Sequence, residues 1–336
     1  MFTKIYVKIK QFISKNYLFI LGIILGLFLA FYEFPYYISA PGGVIDISSR
    51  IEIEDANHVD GSFNMAYVSE YKATLPMLLL ANIKKDWDIE KKSSVLDENE
   101  TDKDASLRDH IMLTEANQNA IIYAYTKAGK EINIKKSNIY VIYIYDEADT
   151  DLKVGDEIIN INSININKKE DITNILNNSN KGDTLSILVK SNGNEFERYA
   201  KVIDVSGTKL IGIMPSIIRD YDCNPDIKLK FKASESGPSG GLMMSLAIYN
   251  YLTEEDITHG KKIAGTGTID EKGNVGSIGG IEYKIKGAVH DKIKYFIVPN
   301  GENYEDAIKV KEKYHYDINI VGVSTFDEAL EALSKF

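Results

Sequence analysis

Apolar and polar positions change rhythm several times along this chain of 336 residues. Residues 17–32 are an uncharged run of Leu, Ile, Phe, Gly and Ala. At about 1.5 Å per residue, a helix of that run nearly crosses a hydrocarbon core. Tyr36 and Tyr37 follow it as an interfacial belt would. Ala40-Pro41-Gly42-Gly43 then predicts a turn that ends the apolar segment. Residues 44–71 predict short strands, because Ile51-Glu52-Ile53-Glu54 and Phe63-Asn64-Met65-Ala66-Tyr67-Val68 alternate. Residues 74–83 are apolar enough for a helix. Residues 84–109 are charged and glycine-free, which predicts a long exposed loop or a partly ordered helix. Residues 115–130 predict a helix with alanines on one face.

From residue 133 to 204 the order becomes strand, strand, helix, strand, strand. Residues 139–145 predict a strand and 152–162 a turn running into a buried strand. Residues 169–178 predict a helix capped by residues such as Asp171. Residues 184–191 and 195–202 pair around Asn192-Gly193-Asn194 as a hairpin. With these neighbours, Leu152-Lys153-Val154-Gly155-Asp156-Glu157-Ile158 resembles a PDZ domain. The resemblance implies peptide binding by strand addition to a sheet edge. Lys136-Ser137-Asn138-Ile139 stands in the approximate place of the carboxylate-binding loop, without its glycine. A structural or gating role is therefore as open as recruitment. From residue 212 onward strand and helix alternate again. Strands are predicted at 227–231, 263–269, 295–299 and 318–323, and helices at 242–251, 281–291, 304–313 and 326–333.

Composition narrows the function classes. A hydrophobic content of 44% suffices for two or three globular units. The net charge of -10 argues against a general nucleic-acid binder, and pairs such as Lys84-Lys85 and Lys91-Lys92 read as solvated surface. One cysteine, Cys223, excludes an internal disulfide framework and a cysteine-rich zinc site. Lys4, Lys8, Lys10 and Lys15 precede the apolar run, with no acid before Glu33. The excess of positive charge places residues 1–15 in the cytoplasm and the chain beyond about residue 35 outside. A cleaved signal peptide is the competing reading, but Pro41 directly after Ser39-Ala40 is unfavourable for cleavage there.

The candidate chemistry lies in two glycine-rich stretches. Ser236-Gly237-Pro238-Ser239-Gly240-Gly241 puts a serine on a tight turn at the mouth of a helix. Gly279-Gly280-Ile281-Glu282-Tyr283-Lys284 puts a lysine in the first turns of another. A serine hydroxyl needs a base beside it, and an amine can be that base only when buried, neutral and away from acids. These stretches, with Gly265-Thr266-Gly267 between them, resemble the proteolytic domain of the Lon peptidase family. With the apolar run and the PDZ-like stretch, the whole chain resembles bacterial membrane-anchored, PDZ-containing Lon-like peptidases. The sequence departs slightly from the family pattern. Gly240 stands where many members have alanine, and Ser277 where many have proline. Ser236 stands where ATP-dependent members often carry an acid, and Glu235 is one residue off that place.

The resemblance implies a multidomain α+β chain. Its parts are a cytoplasmic tail (1–16), a transmembrane anchor (17–35), an N-terminal extracytoplasmic segment (40–130), a PDZ-like domain (131–205) and a Lon-type proteolytic domain (209–336). It implies Ser239 as nucleophile, Lys284 as base, Thr266 as its support, and the backbone N–H groups of Ser239 and Gly240 as oxyanion donors. Near pH 7 such a base requires the amine pKa to fall by roughly 3 units, at about 4 kcal/mol. Ile278, Ile281 and Ile285 are expected to supply the apolar walls. None of His58, His110, His259, His290 and His315 sits in a motif, so neither a histidine triad nor a metal site is expected. Asp270 and Glu271 read as a hairpin turn with Lys272-Gly273-Asn274. No Gly-x-x-x-x-Gly-Lys-Ser/Thr phosphate loop occurs, so ATP-independent cleavage of exposed peptides or unfolded proteins is expected, with no cofactor. A homo-oligomeric ring is implied only by the family. The alternative is a catalytically inactive, membrane-anchored peptide-binding scaffold.

Overall fold

The computed structural model describes residues 2–97 and 100–336. The chain opens with α1 (Phe2–Phe31), which leaves helical geometry at Asn16. Its Ile5–Phe31 stretch is long and apolar enough to cross a membrane, a length and composition that a signal sequence would share. There follow β1 (Tyr36–Asp46), β2 (Ile51–Ile53), β3 (Ser62–Lys72), α2 (Leu75–Ile83), β4 (Asp88–Lys91), α3 (Lys92–Val95) and α4 (Asp102–Lys127). Next come β5 (Glu131–Ile144), β6 (Glu157–Ile161), β7 (Ile164–Asn165), α5 (Lys169–Asn177), β8 (Thr184–Ser191), β9 (Asn194–Lys201), β10 (Ile203–Val205), β11 (Thr208–Leu210) and β12 (Ile213–Asn224). The rest comprises β13 (Ile227–Leu229), α6 (Gly241–Leu252), β14 (Lys262–Gly265), β15 (Thr268–Ile269), β16 (Val275–Gly276), α7 (Ile281–His290), β17 (Tyr295–Pro299), α8 (Glu302–Tyr314), β18 (Asn319–Val323) and α9 (Phe326–Leu333).

Two compact units emerge, and β1 and β3 each pass from one to the other. The smaller comprises Met1–Pro41 and Ser69–Asp97. In it Tyr36–Ser39 of β1 pair antiparallel with β4, and Ile38, Ala73 and Ala81 make a small core with Phe34, Met77 and Trp87.

The larger unit, Gly42–Val68 and Glu98–Phe336, holds two sheets that matter here. In the first, β14 lies between β3 and β17, and β18 flanks β17, all parallel. Strand alternation sends Ile263 and Ile297 into one core with α6, and Ala264, Phe296 and Val298 into another with Ile281 and Ile285 of α7. Both faces are therefore covered, as parallel sheets require. Helix α6 is apolar all round and nearly wholly buried, with Ala120, Ile121, Ala124 and Tyr125 of α4 in the same core. The second sheet has the order β12-β5-β6-β8-β9. Its core includes Ile139, Val141, Ile158, Ile187 and Val189, with Ile172, Ile175 and Leu176 from α5. This sheet covers the stretch whose sequence resembles a PDZ domain.

Several expectations need correction. Ala40-Pro41-Gly42-Gly43 is not a turn but lies inside β1. Its glycines serve a close approach instead: a Cβ on Gly287 of α7 would sit 2.6 Å from the Gly43 nitrogen. Lys136-Ser137-Asn138-Ile139 is not a loop. It lies inside β5 and pairs with β12. The stretch 84–109 contains β4, α3 and the first turns of α4, although Glu98 and Asn99 lie outside the described residues. Helix α4 starts thirteen residues earlier than the alanine pattern indicated. A capping box explains this: Thr101 accepts the Asp104 N–H at 3.2 Å, and Asp104 accepts the Thr101 N–H.

The packing of α7 on β1 leaves no room for a methyl group at Gly287. We therefore expect Gly287→Ala to destabilise the chain by about 1–3 kcal/mol, read from the denaturant midpoint.

Candidate active site

Three short segments converge at the carboxyl end of β14. Open parallel sheets commonly place sites there. Thr266 immediately follows β14 and is fully buried. The turn Gly237-Pro238-Ser239-Gly240 leads into α6, and Gly237 takes a φ of +84°, which a glycine tolerates. On the other side Gly280, left-handed at φ +69°, starts α7 and leads to Lys284 within its first turn.

Hydrogen bonds join the three segments. The Lys284 Nζ donates to Thr266 Oγ1 at 3.1 Å. Thr266 Oγ1 in turn donates to the Ser239 carbonyl at 3.0 Å, and the Gly267 N–H donates to the same carbonyl at 2.7 Å. A hydroxyl has one proton. Because Thr266 gives its proton to Ser239, it can only accept from the lysine. A neutral amine meeting that demand keeps its lone pair free for another proton.

Lys284 is 3% exposed. Burial alone brings its amine down from 10.5 to about 8, and no carboxylate contributes to the shift. This is the environment that a lysine base needs. Ile281 and Ile285, on the same helix, are buried, and Ile278 packs against their core.

The Ser239 side chain is partly exposed, and among the described residues its hydroxyl has no hydrogen-bond partner. Lys284 is thus joined to the backbone of Ser239 through Thr266 and not to its Oγ. Resting sites often tighten such a bond only when substrate binds. Among the described residues the N–H groups of Ser239 and Gly240 have no acceptor either, as the entry to a helix leaves them. A Cβ at Gly240 would lie 2.9 Å from Met65 Sδ.

Sequence reasoning missed two groups that hold the turn. Arg50 is buried and grips both carboxylate oxygens of Glu235, with Nε at 3.0 and 2.9 Å. The Gly237 N–H donates to the Asp109 carbonyl of α4 at 3.0 Å. Both partners are distant in sequence and belong to no motif. Asp270 closes the β15–β16 hairpin through the N–H groups of Lys272 and Asn274, and Glu271 lies in the same turn with its carboxylate paired to Arg219. His58 and His290 are exposed beside Asp60 and Asp291. Among the described residues no group of three or more His, Cys, Asp or Glu could hold a metal.

The depressed lysine has a thermodynamic signature. Its folded pKa lies below its unfolded value, so between about pH 8 and 10.4 the unfolded chain binds more protons and stability rises with pH. At pH 7 the penalty is fully present, at about 3 kcal/mol. Lys284→Met is expected to raise the thermal midpoint at pH 7, with a gain that shrinks toward pH 10.

Residues 231–335 match the Lon protease (S16) C-terminal proteolytic domain. The Lon protease of Azospirillum brasilense is 27% identical over 179 residues, which is 53% of this chain and 20% of that protein. That of Trichlorobacter lovleyi is 38% identical over 105 residues, 30% of this chain and 12% of that protein. The chain thus matches about a fifth or less of the length of these curated relatives. Among solved structures it is similar to the PDZ domain of an SdrC-like protein from Listeria monocytogenes, 23% identical, with 25% of this chain and 92% of that chain covered and a TM-score of 0.23. Over residues 231–335 the chain carries a Lon-type proteolytic domain, which supports a serine peptidase of that type.

Proposed function

We propose that this chain is a serine endopeptidase that works with a Ser239–Lys284 pair, needs no nucleotide, and is tethered to the outer face of the cytoplasmic membrane. The observation that carries the reading is a buried lysine, without an acid to hold its proton, bound through Thr266 to the backbone of the serine turn.

In this reading Ser239 Oγ attacks the scissile carbonyl while neutral Lys284 takes its proton. The reading requires the Ser239 hydroxyl to turn to the amine when substrate binds. Thr266 keeps the amine oriented. The N–H groups of Ser239 and Gly240 stabilise the oxyanion as the tetrahedral intermediate forms. Lys284 then hands its proton to the leaving amine, and water completes the cycle through the same base.

Lysines before the apolar span and few charges within it support an anchor with the catalytic part outside. The absence of a phosphate-loop motif in the sequence supports cleavage of exposed loops, peptides and unfolded exported proteins.

Full-length protein in detergent, incubated with casein, is the direct test. Cleavage is expected without nucleotide, unaffected by an ATP-depleting system. With the amine at about 8, the rate is expected to rise about tenfold from pH 7 to 9 as its neutral fraction grows. Ser239→Ala and Lys284→Ala are each expected to abolish cleavage while the fold persists. Intact casein with the wild-type chain at pH 9 would instead favour the inactive scaffold.

A further inference from the structure

Strand β12 is an edge of the PDZ-like sheet, and its partner on one side is β5. An edge strand ordinarily offers free N–H and C=O groups, and strand addition by a peptide uses them. Here the Ile217 N–H and both backbone groups of Arg219 are already in use. The Ile217 N–H donates to Glu115 Oε1 at 3.1 Å, and the Ser216 hydroxyl donates to Glu115 Oε2 at 2.5 Å. The Arg219 N–H donates to Gln118 Oε1 at 2.7 Å, and Gln118 Nε2 donates back to the Arg219 carbonyl at 2.9 Å. Gln118 thus offers the donor-acceptor pair that a residue of an added strand would offer. Pro215, next along the edge, has no N–H to give.

Glu115 and Gln118 are three residues apart on α4, so both face β12 from one side of the helix. The same helix reaches the serine turn. Its Asp109 carbonyl accepts the Gly237 N–H at 3.0 Å, and His110 Nε2 lies 3.1 Å from the Ala233 carbonyl. Asn119 Nδ2 donates to the Ile269 carbonyl at 3.3 Å, beyond Thr266. Arg219 closes the arrangement, since its guanidinium donates to Asn119 Oδ1 at 3.1 Å and pairs with Glu271 of the hairpin.

We propose that α4 is the built-in occupant of the β12 edge, and that Glu115 and Gln118 are positioning residues for peptide hydrolysis. By seating α4 on β12 they fix the Asp109 carbonyl, and through it the turn that presents Ser239. The PDZ-like sheet serves at this edge as a brace for the catalytic turn, and a peptide strand can enter there only by displacing both side chains. The inference rests on the Ser239–Lys284 reading above.

The test uses the full-length chain in detergent and a fluorogenic peptide. The double variant Glu115→Ala/Gln118→Ala is expected to lose about tenfold in kcat with KM unchanged, because it misplaces the nucleophile and leaves substrate contacts alone. Glu115→Gln is expected to retain wild-type kcat, since its amide oxygen still accepts from Ile217 and its NH2 can donate to the Ser216 oxygen. A double variant with wild-type kcat, or a Glu115→Gln variant as impaired as the double, would overturn the proposal. Should the double variant fail to fold, amide hydrogen exchange on the wild-type chain decides. The Ile217 and Arg219 amides are expected to exchange slowly, and exchange at the rate of an open edge would overturn it. A wild-type chain that hydrolyses nothing would sink the peptidase reading itself, while the exchange measurement would still report whether α4 occupies the edge.

Discussion

A lysine amine held out of water without a counter-charge is the costly feature around which the larger unit is organised. Water favours the charged form, so burial drives the amine toward neutrality, and the fold must supply the difference. It does so by packing α7 on the face of a parallel sheet, with Ile281 and Ile285 in the same apolar core. The first turn of that helix has to pass close to strand β3. Gly280 makes that possible with a left-handed backbone and no side chain, for a Cβ there would lie 2.7 Å from Val68 Cγ2. About two turns further, Gly287 lets the helix touch the β1 backbone. Gly280 and Gly287 are therefore packing residues.

Much of the larger unit was legible because its elements are locally consistent. Strand β17 fell at residues 295–299 as its apolar run indicated, and α6, α7, α8 and α9 fell within two residues or so of their apolar patterns. The PDZ-like hairpin followed from Asn192-Gly193. The failures have separate causes. Ala40-Pro41-Gly42-Gly43 has turn chemistry, yet tertiary contact with α7 draws Gly42 and Gly43 into a strand. The opening of α4 was hidden by charge, although Thr101 and Asp104 carried a capping signal that could have found it. Lys136 to Ile139 carries no apolar alternation of its own, and its strand state follows from pairing with β12.

The candidate site was legible in a different way. Ser239, Thr266 and Lys284 were chosen on motif spacing, and the chain that joins them depends on side-chain directions that no spacing conveys. Nothing in the sequence pointed to Arg50 or to the Asp109 carbonyl, because a contact across more than a hundred residues leaves no local pattern. The bond between Glu235 and Arg50 also gives a physical role to the acid just before the turn. It holds the loop from outside and leaves the amine free of a counter-charge.

The two donors on the Ser239 carbonyl have one more effect. The peptide unit linking Ser239 to Gly240 is planar and trans, so its oxygen and its hydrogen point in opposite directions. Anchoring that oxygen with the Thr266 hydroxyl and the Gly267 amide stops the plate from swivelling. The Gly240 hydrogen is consequently aimed away from β14 before any ligand arrives, and the same threonine that steadies the lysine sets the heading of a backbone N–H at the far end of the peptide plane.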